Sequence, residues 1–201
     1  TNISMDTTLI GEYNLSNIMA ASAVSLSMGI STQHIEQAVK SLPPIPGRFE
    51  EIPCKCPGRI FIDYAHTTDA YKKLFSSLTE LNDEKNKIIT VFGCGGNRDA
   101  SKRSKMAAIS ETYSTFSFVT MDNPRMESLN KINTDIIKGF SGPNYEIITN
   151  RKIAVETALS RMDDHSILLV LGKGRENYQE IGTKKTPHSD VEIIRAFQHA
   201  G

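Results

Sequence analysis

Short runs of β-branched and aromatic residues recur at intervals of about 22 to 29 residues, at Ile60 to Ile62, Ile88 to Phe92, Phe116 to Thr120, Tyr145 to Ile148 and Ile167 to Leu171. Each run leads into a polar or glycine-rich loop and then into apolar residues at helical spacing. Parallel strands need a crossover of a dozen or more residues, and this interval holds one strand, one loop and one helix. The pattern predicts an α/β fold with a mostly parallel sheet and helices on both faces. Helices are expected near 70–82, 102–113, 128–139, 151–162 and 190–199. Ser101 and Asn150 stand where caps belong, and Ser189 with Glu192 makes a capping box.

Ahead of this alternation the chain reads as two helices. Asn14 or Ser16 can cap one that runs through Ala23 and Met28 to Gly29; Ser31 can cap another whose apolar face carries Ile35, Val39 and Leu42. Pro43, Pro44, Pro46 and Gly47 are the densest group of breakers, which predicts a domain boundary with 1–47 on one side and 48–201 on the other. At roughly 150 residues per domain the 201 residues amount to one domain and a fraction, and the first residue is Thr1; a piece of a longer protein is expected.

Composition narrows the partners. Lys and Arg number 23 and Asp and Glu 23, so the net charge is zero, without the broad basic field of a nucleic-acid binder or a polybasic membrane patch. No run approaches the roughly 18 apolar residues of a spanning helix, and no signal-peptide pattern opens the chain, so a cytoplasmic protein is expected. Cys54 and Cys56 form a C-x-C pair and Cys94 lies in a glycine loop, with no second Cys/His cluster. Reduced thiols and no metal site are expected.

In an open parallel sheet, ligands bind beyond the carboxyl ends of the strands, where loops and helix N-termini offer free N–H groups. Four strands deliver ionic or glycine-rich loops to that edge: Asp63-Tyr64-Ala65-His66, Gly93 to Asp99, Asp122-Asn123-Pro124-Arg125, and Gly172 to Glu176. The glycines at 93, 95 and 96 fail the dinucleotide fingerprint because Arg98 stands where a further glycine belongs. A tight turn that lets the backbone approach a ligand is the better expectation. Gly172-Lys173-Gly174 is not a P-loop, and Cys94 with His66 lacks the orienting group of a thiol nucleophile. Asp63 could cap the next helix with His66 packed beside it, or the two could address a phosphate, a metal or another domain. Asp122 to Arg125 could be a solvated turn. Its Asn and planar Arg fork also suit a carboxylate, and Glu176 opposite could accept from an ammonium, together an amino-acid clamp.

Taken with Gly11 to Asn17 and Gly47-Arg48-Phe49-Glu50, these motifs occur in the order found in the Mur ligases, and the chain resembles that family over essentially its whole length. Within the family it most resembles the members that add meso-diaminopimelate to UDP-N-acetylmuramoyl-L-alanyl-D-glutamate. The resemblance implies a Rossmann-like C-terminal domain that receives the amino acid, preceded by the last helices of a P-loop ATPase domain. It implies ATP and Mg2+ as cofactors, an acyl-phosphate route to an amide, and a protein that acts as a monomer on small molecules. On this resemblance Asn17, Arg48, Asp63 and His66 meet ATP, while Arg98, Asp122, Asn123, Arg125, Gly172 and Glu176 hold meso-diaminopimelate. No catalytic residue is assigned. The UDP-sugar would be held by domains outside this chain, and the 201 residues alone are expected to be inactive for want of a P-loop. A lysine-adding or folylpolyglutamate-type relative, or a non-catalytic binding module, is the alternative. Where many relatives carry His, this chain has Arg175, whose role the resemblance leaves open.

Overall fold

The computed structural model describes residues 4–79 and 86–197. The expected alternation is present as β2 (Arg59–Asp63), α3 (Thr68–Thr79), β3 (Lys87–Phe92), α4 (Lys102–Tyr113), β4 (Phe116–Val119), α5 (Leu129–Ile137), β5 (Tyr145–Ile147), α6 (Arg151–Ser160), β6 (Ser166–Leu171) and α7 (Asp190–Ala196). A two-residue edge strand, β1 (Glu50–Glu51), pairs antiparallel with β2; the other pairs in this sheet are parallel, in the order β1-β2-β6-β3-β4-β5. The last parallel strand thus inserts between the first two. Leu168 registers with Ile60 on one side and Ile89 on the other. All six residues of β6 are buried, as its nearly unbroken apolar sequence requires of a central parallel strand.

Side chains alternate between the two faces of the sheet and build two cores. On one face Phe61, Phe92, Val119 and Leu169 pack with Tyr71 and Phe75 of α3, Met106 of α4 and Ile132 of α5. On the other, Ile62, Val91, Phe118 and Val170 pack with Val155 and Leu159 of α6 and Ile194 of α7. The second face is pinned by an ion pair without solvent contact: Arg151 donates from Nε and Nη2 to Asp190, and from Nη2 to the Leu171 carbonyl. Burial alone would raise the Asp190 pKa, but Arg151 and His188, whose Nε2 lies 2.8 Å from Oδ1, hold it well below the carboxylate range.

Ahead of the sheet stand α1 (Glu12–Ser27) and α2 (Thr32–Lys40), joined through a small cluster of Ile18, Ile35 and Val39. Leu15, Met19, Val24 and Met28 of this hairpin remain exposed. No helix among the described residues is long and apolar enough to cross a membrane.

Several local expectations change. The helix at 12 begins after Gly11, with φ +99°, so Asn14 and Ser16 lie inside it rather than at its cap. Leu42 falls beyond α2 and is exposed. Ser31, Asn150 and Ser189 cap as expected, accepting from the N–H groups of His34, Ile153 and Glu192. Ser101 makes no side-chain cap; its own N–H donates to Asp99 Oδ1. The ends of the expected helices at 80–82 and 198–199 lie outside the described residues. Cys54 and Cys56, expected as free thiols, are joined as a disulfide, their Cα atoms 5.1 Å apart, within the reach of such a bond. An unexpected two-stranded ribbon, β7 (Tyr178–Ile181) and β8 (Lys184–Pro187), follows β6.

Candidate functional site

Because β2, β3, β4 and β6 run parallel, their four following loops gather at one edge of the sheet. Glycine shapes the approach of two of these loops. A Cβ on Gly93 would lie 2.1 Å from the Thr120 carbonyl oxygen, and one on Gly96 would lie 1.9 Å from that of Pro124. The missing side chains let the β3 loop lie backbone to backbone on the β4 loop, where Gly96 N–H donates to Asn123 O at 2.9 Å. Gly93 and Gly96 thus approach the neighbouring loop, while Gly95 between them lines the cleft described next. Arg103, fully buried, supports the pair from below: it donates to Glu127, Asp135 and the Gly95 carbonyl, and Glu127 accepts from Asn97 N–H. The Arg103 hydrogen bond holds the Glu127 carboxyl down at about 2.

The loops enclose a cleft of about 340 Å³ that brings together all six residues expected at the amino-acid end: Arg98, Asp122, Asn123, Arg125, Gly172 and Glu176. Asn123 is buried, with Oδ1 accepting from Lys173 Nζ and Glu180 N–H, and Nδ2 donating one of its two hydrogens to Glu176 Oε2 at 3.1 Å. Glu176 also accepts from Lys173 Nζ at 2.8 Å and from the Tyr64 hydroxyl at 3.3 Å. Burial alone would raise the Glu176 pKa, but the Lys173 ammonium brings it below the ordinary value. Arg125 adopts φ +50°, donates from Nε to Glu180 Oε2 and from Nη1 to Gly96 O, each at 3.0 Å, and its Nη2 has no partner among the described residues. Arg98 is exposed and makes no ion pair among the described residues. Gly172, with φ +104°, leaves room for Asp122, whose Oδ2 would lie 2.7 Å from an added Cβ.

The residues expected at the nucleotide divide. Asn17, Arg48 and Asp63 line a second cleft of about 340 Å³, together with Tyr13 and Lys73. His66 instead lines the first cleft, its Nδ1 2.8 Å from the Tyr64 carbonyl and its own carbonyl accepting from Lys102. Asp63 is buried and works on its own backbone: Oδ2 accepts from Phe49 N–H at 2.6 Å and Oδ1 from Ala65 N–H at 2.5 Å. It thus closes the turn after β2 and holds Gly47 to Phe49, rather than capping α3. Desolvation raises its pKa against the lowering pull of those two N–H groups.

Tyr64 stands between the clefts, with its ring under the Arg48 guanidinium and its N–H on the Gly47 carbonyl. Arg175 clamps Glu50 through Nε and Nη2, and Glu50 in turn accepts from Gly47 N–H at 2.7 Å. The added charge at 175 therefore has a partner on the segment that enters the sheet.

Lys173 has no assigned role in the sequence beyond its place in the Gly172 to Glu176 loop. It is fully buried, and its Nζ also lies 3.7 Å from Asp122 Oδ1. The Gly-Lys-Gly triplet was the available signal, but nothing in the sequence told that the lysine would turn inward. Glu180 carried no signal at all.

Three likenesses bear on this arrangement. The chain is 39% identical over 188 residues to the UDP-N-acetylmuramoyl-L-alanyl-D-glutamate--2,6-diaminopimelate ligase of Fusobacterium nucleatum subsp. nucleatum, covering 93% of this chain and 39% of the relative. A solved structure bearing the same enzyme name superposes with a TM-score of 0.70 at 31% identity, over 94% of this chain and 39% of that one. A folylpolyglutamate synthase of Mycobacterium tuberculosis complexed with ADP gives 0.70 at 20% identity over 84% of this chain and 39% of that one, a likeness of fold. The chain thus spans about two fifths of the length of these relatives. Residues 47–174, from the glycine that Tyr64 and Glu50 hold in place to the loop that closes the cleft, match the family described as Mur ligase, glutamate ligase domain. On that match, which takes in well over half of its residues, the chain belongs to the Mur ligase family.

Proposed function

We propose that this chain is the amino-acid-receiving part of an ATP-dependent ligase that joins meso-diaminopimelate to UDP-N-acetylmuramoyl-L-alanyl-D-glutamate. One observation carries the proposal: Arg98 and the outer edge of Arg125 present uncommitted guanidinium groups to a cleft whose other wall holds Asp122 and Glu176. Two cationic forks facing carboxylates suit a ligand with a carboxylate at each end and ammonium groups beside them. In this reading Arg125 and Asn123 hold the distal carboxylate, Glu176 and Asp122 the distal ammonium, and Arg98 the proximal carboxylate. Lysine lacks the distal carboxylate and would leave the Arg125 fork unanswered, at a cost of about 1–3 kcal/mol.

The chemistry of the family joins a carboxylate to an amine through an acyl phosphate, and the share of this chain is to bring that amine up in one orientation. The anionic end of ATP suits the second cleft, where Arg48 has no carboxylate partner among the described residues and rests on the Tyr64 ring. ATP would supply the phosphoryl group that activates the carboxylate of the UDP-linked substrate, leaving as ADP, and the amine would then displace phosphate. Asn17 and Arg48 would bind ATP, and Asp63 would keep Arg48 in place by holding the turn at Phe49. Among the described residues no group of three or more His, Cys, Asp or Glu side chains could hold a metal ion. No magnesium ligand is assigned to them. We further propose that residues 1–47 are the end of the ATP-binding domain, supported by the exposed apolar side chains of α1 and its thin shared core with α2. The cytoplasm and a monomeric state complete the reading.

The test is a titration of the chain with meso-diaminopimelate, lysine and glutamate, followed in ¹H–¹⁵N spectra. Diaminopimelate should shift the resonances of 95–98, 122–125 and 172–176 and bind more tightly than lysine, and Arg125→Ala should abolish that preference. Equal affinity for lysine, or tighter binding of glutamate, would overturn the assignment.

A further inference from the structure

We infer that Glu180 is a positioning residue that fixes which edge of Arg125 meets a ligand carboxylate. The inference rests on the amino-acid reading of the cleft and goes beyond it, because Glu180 belongs to none of the motif loops. It lies on β7, the ribbon strand that follows the fourth loop.

Residue 180 and its neighbours hold the Arg125 loop by main chain as well as by side chain. Arg125 N–H donates to Glu180 O at 3.0 Å, Gly182 N–H donates to Arg125 O at 2.9 Å, and Glu180 N–H donates to Asn123 Oδ1 at 2.9 Å. These bonds keep a non-glycine residue at φ +50°, a conformation that side chains disfavour and that must be imposed from outside. With the backbone so placed, the side chain is set by two acceptors, Glu180 Oε2 on Nε and Gly96 O on Nη1.

A guanidinium can grip a carboxylate with two parallel bonds either side-on, through Nε and one Nη, or end-on, through both Nη atoms. Glu180 occupies Nε and so blocks the side-on edge. Nη2 has no partner among the described residues and Nη1 has a second hydrogen, so the end-on edge is the one left for a ligand. Both partners are partly exposed, with side-chain exposures of 24% and 29%, so the pair contributes little to stability and its effect is on direction. The carboxylate of Glu180 also weakens the positive field at Arg125; a cleft selected for affinity alone would not place it there. Orientation in return for some attraction is the signature of a group that serves discrimination.

The experiment compares Glu180→Ala and Glu180→Gln with the parent chain in the same titration, reading the ratio of diaminopimelate to lysine affinity and the Arg125 Nε–H resonance. Glu180→Gln keeps an acceptor for Nε without the charge. The inference expects it to retain the ratio within about twofold, whereas Glu180→Ala lowers the ratio by about fivefold or more and speeds exchange of the Nε–H with water. Unchanged selectivity in Glu180→Ala, or tighter diaminopimelate binding in both variants, overturns the positioning role while leaving the amino-acid reading intact. A parent chain without preference for diaminopimelate overturns that reading and this inference with it. An equal loss for both ligands, with a lowered melting temperature, marks Glu180 as merely structural and also refutes the proposal.

Discussion

Replacing Lys173 with Met removes one ammonium from beneath the cleft while nearly preserving side-chain volume. Three acceptors lose their cation: Glu176 Oε2 at 2.8 Å, Asn123 Oδ1 at 3.0 Å and Asp122 Oδ1 at 3.7 Å. Asn123 keeps Glu180 N–H, and Glu176 keeps Asn123 Nδ2 and the Tyr64 hydroxyl. Asp122, with only 9% of its side chain exposed, keeps no cation within 4 Å among the described residues. Removing one member of a buried pair costs about 3–5 kcal/mol; the 20% exposure of Glu176 puts the expectation at the lower end, about 3 kcal/mol. For a chain of this size that lowers the melting temperature by roughly 6–12 °C. The sign of the pH dependence follows from Glu176, whose folded pKa lies below its ordinary value of 4.5. Its stabilising contribution is complete above that value and is lost as pH falls through the depressed one. The gap between Lys173→Met and the parent should therefore be widest near pH 7 and narrow below about pH 4.5. Urea denaturation followed by circular dichroism at the two ends of that range measures it. A variant as stable as the parent at pH 7, or a gap equally wide in acid, would refute the view that Lys173 is held by these carboxylates.

Two further outcomes follow from the loops. Gly96→Ala should destabilise the chain by about 2 kcal/mol or more and broaden the resonances of 123–125, because its Cβ would meet the Pro124 carbonyl at 1.9 Å. Gly142→Ala, whose Cβ would have only Glu111 Oε1 within 4 Å, at 3.5 Å, should be nearly neutral in the same melt. Cys94 is buried, and desolvation pushes its thiol up to about 12, so it should resist iodoacetamide at pH 8 until the chain is unfolded. Rapid labelling of the native protein would show that it is not held as described.

The parts of the fold that were legible in the sequence are those whose burial is local. The five apolar runs and the loops after them announce parallel strands and a ligand edge because a buried strand cannot avoid being apolar. The order of the strands was not legible, since Leu168 would fit against Ile60, Ile89 or another apolar partner equally well by sequence alone. The ribbon was missed because Lys184 to Pro187 is exposed throughout, so no alternation marks it. Of the clefts, Arg98, Asn123, Arg125 and Glu176 could be grouped because each follows a strand end. His66 was grouped with the nucleotide residues by motif and lies at the other cleft, since the turn after Asp63 directs it there. Arg103 and Glu180 depend on partners far away in the sequence, and only the folded chain reveals them.

The anchoring of Gly47 has a mechanical consequence. Its carbonyl accepts from Tyr64, its N–H donates to Glu50, and a Cβ added there would meet Arg175 N at 2.9 Å. Seen from α1 and α2, the chain is therefore clamped from this residue onward, while Leu42 to Pro46 is exposed. Were the helical pair to swing against the sheet, the exposed Leu42 to Pro46 would flex, and the strain would enter at Gly47 and at α3, on whose core Ile10 and Tyr13 pack. From Gly47 it would reach Glu176 through Tyr64 and the cleft loop through Arg175, so a movement of the helical pair would be felt at the first cleft.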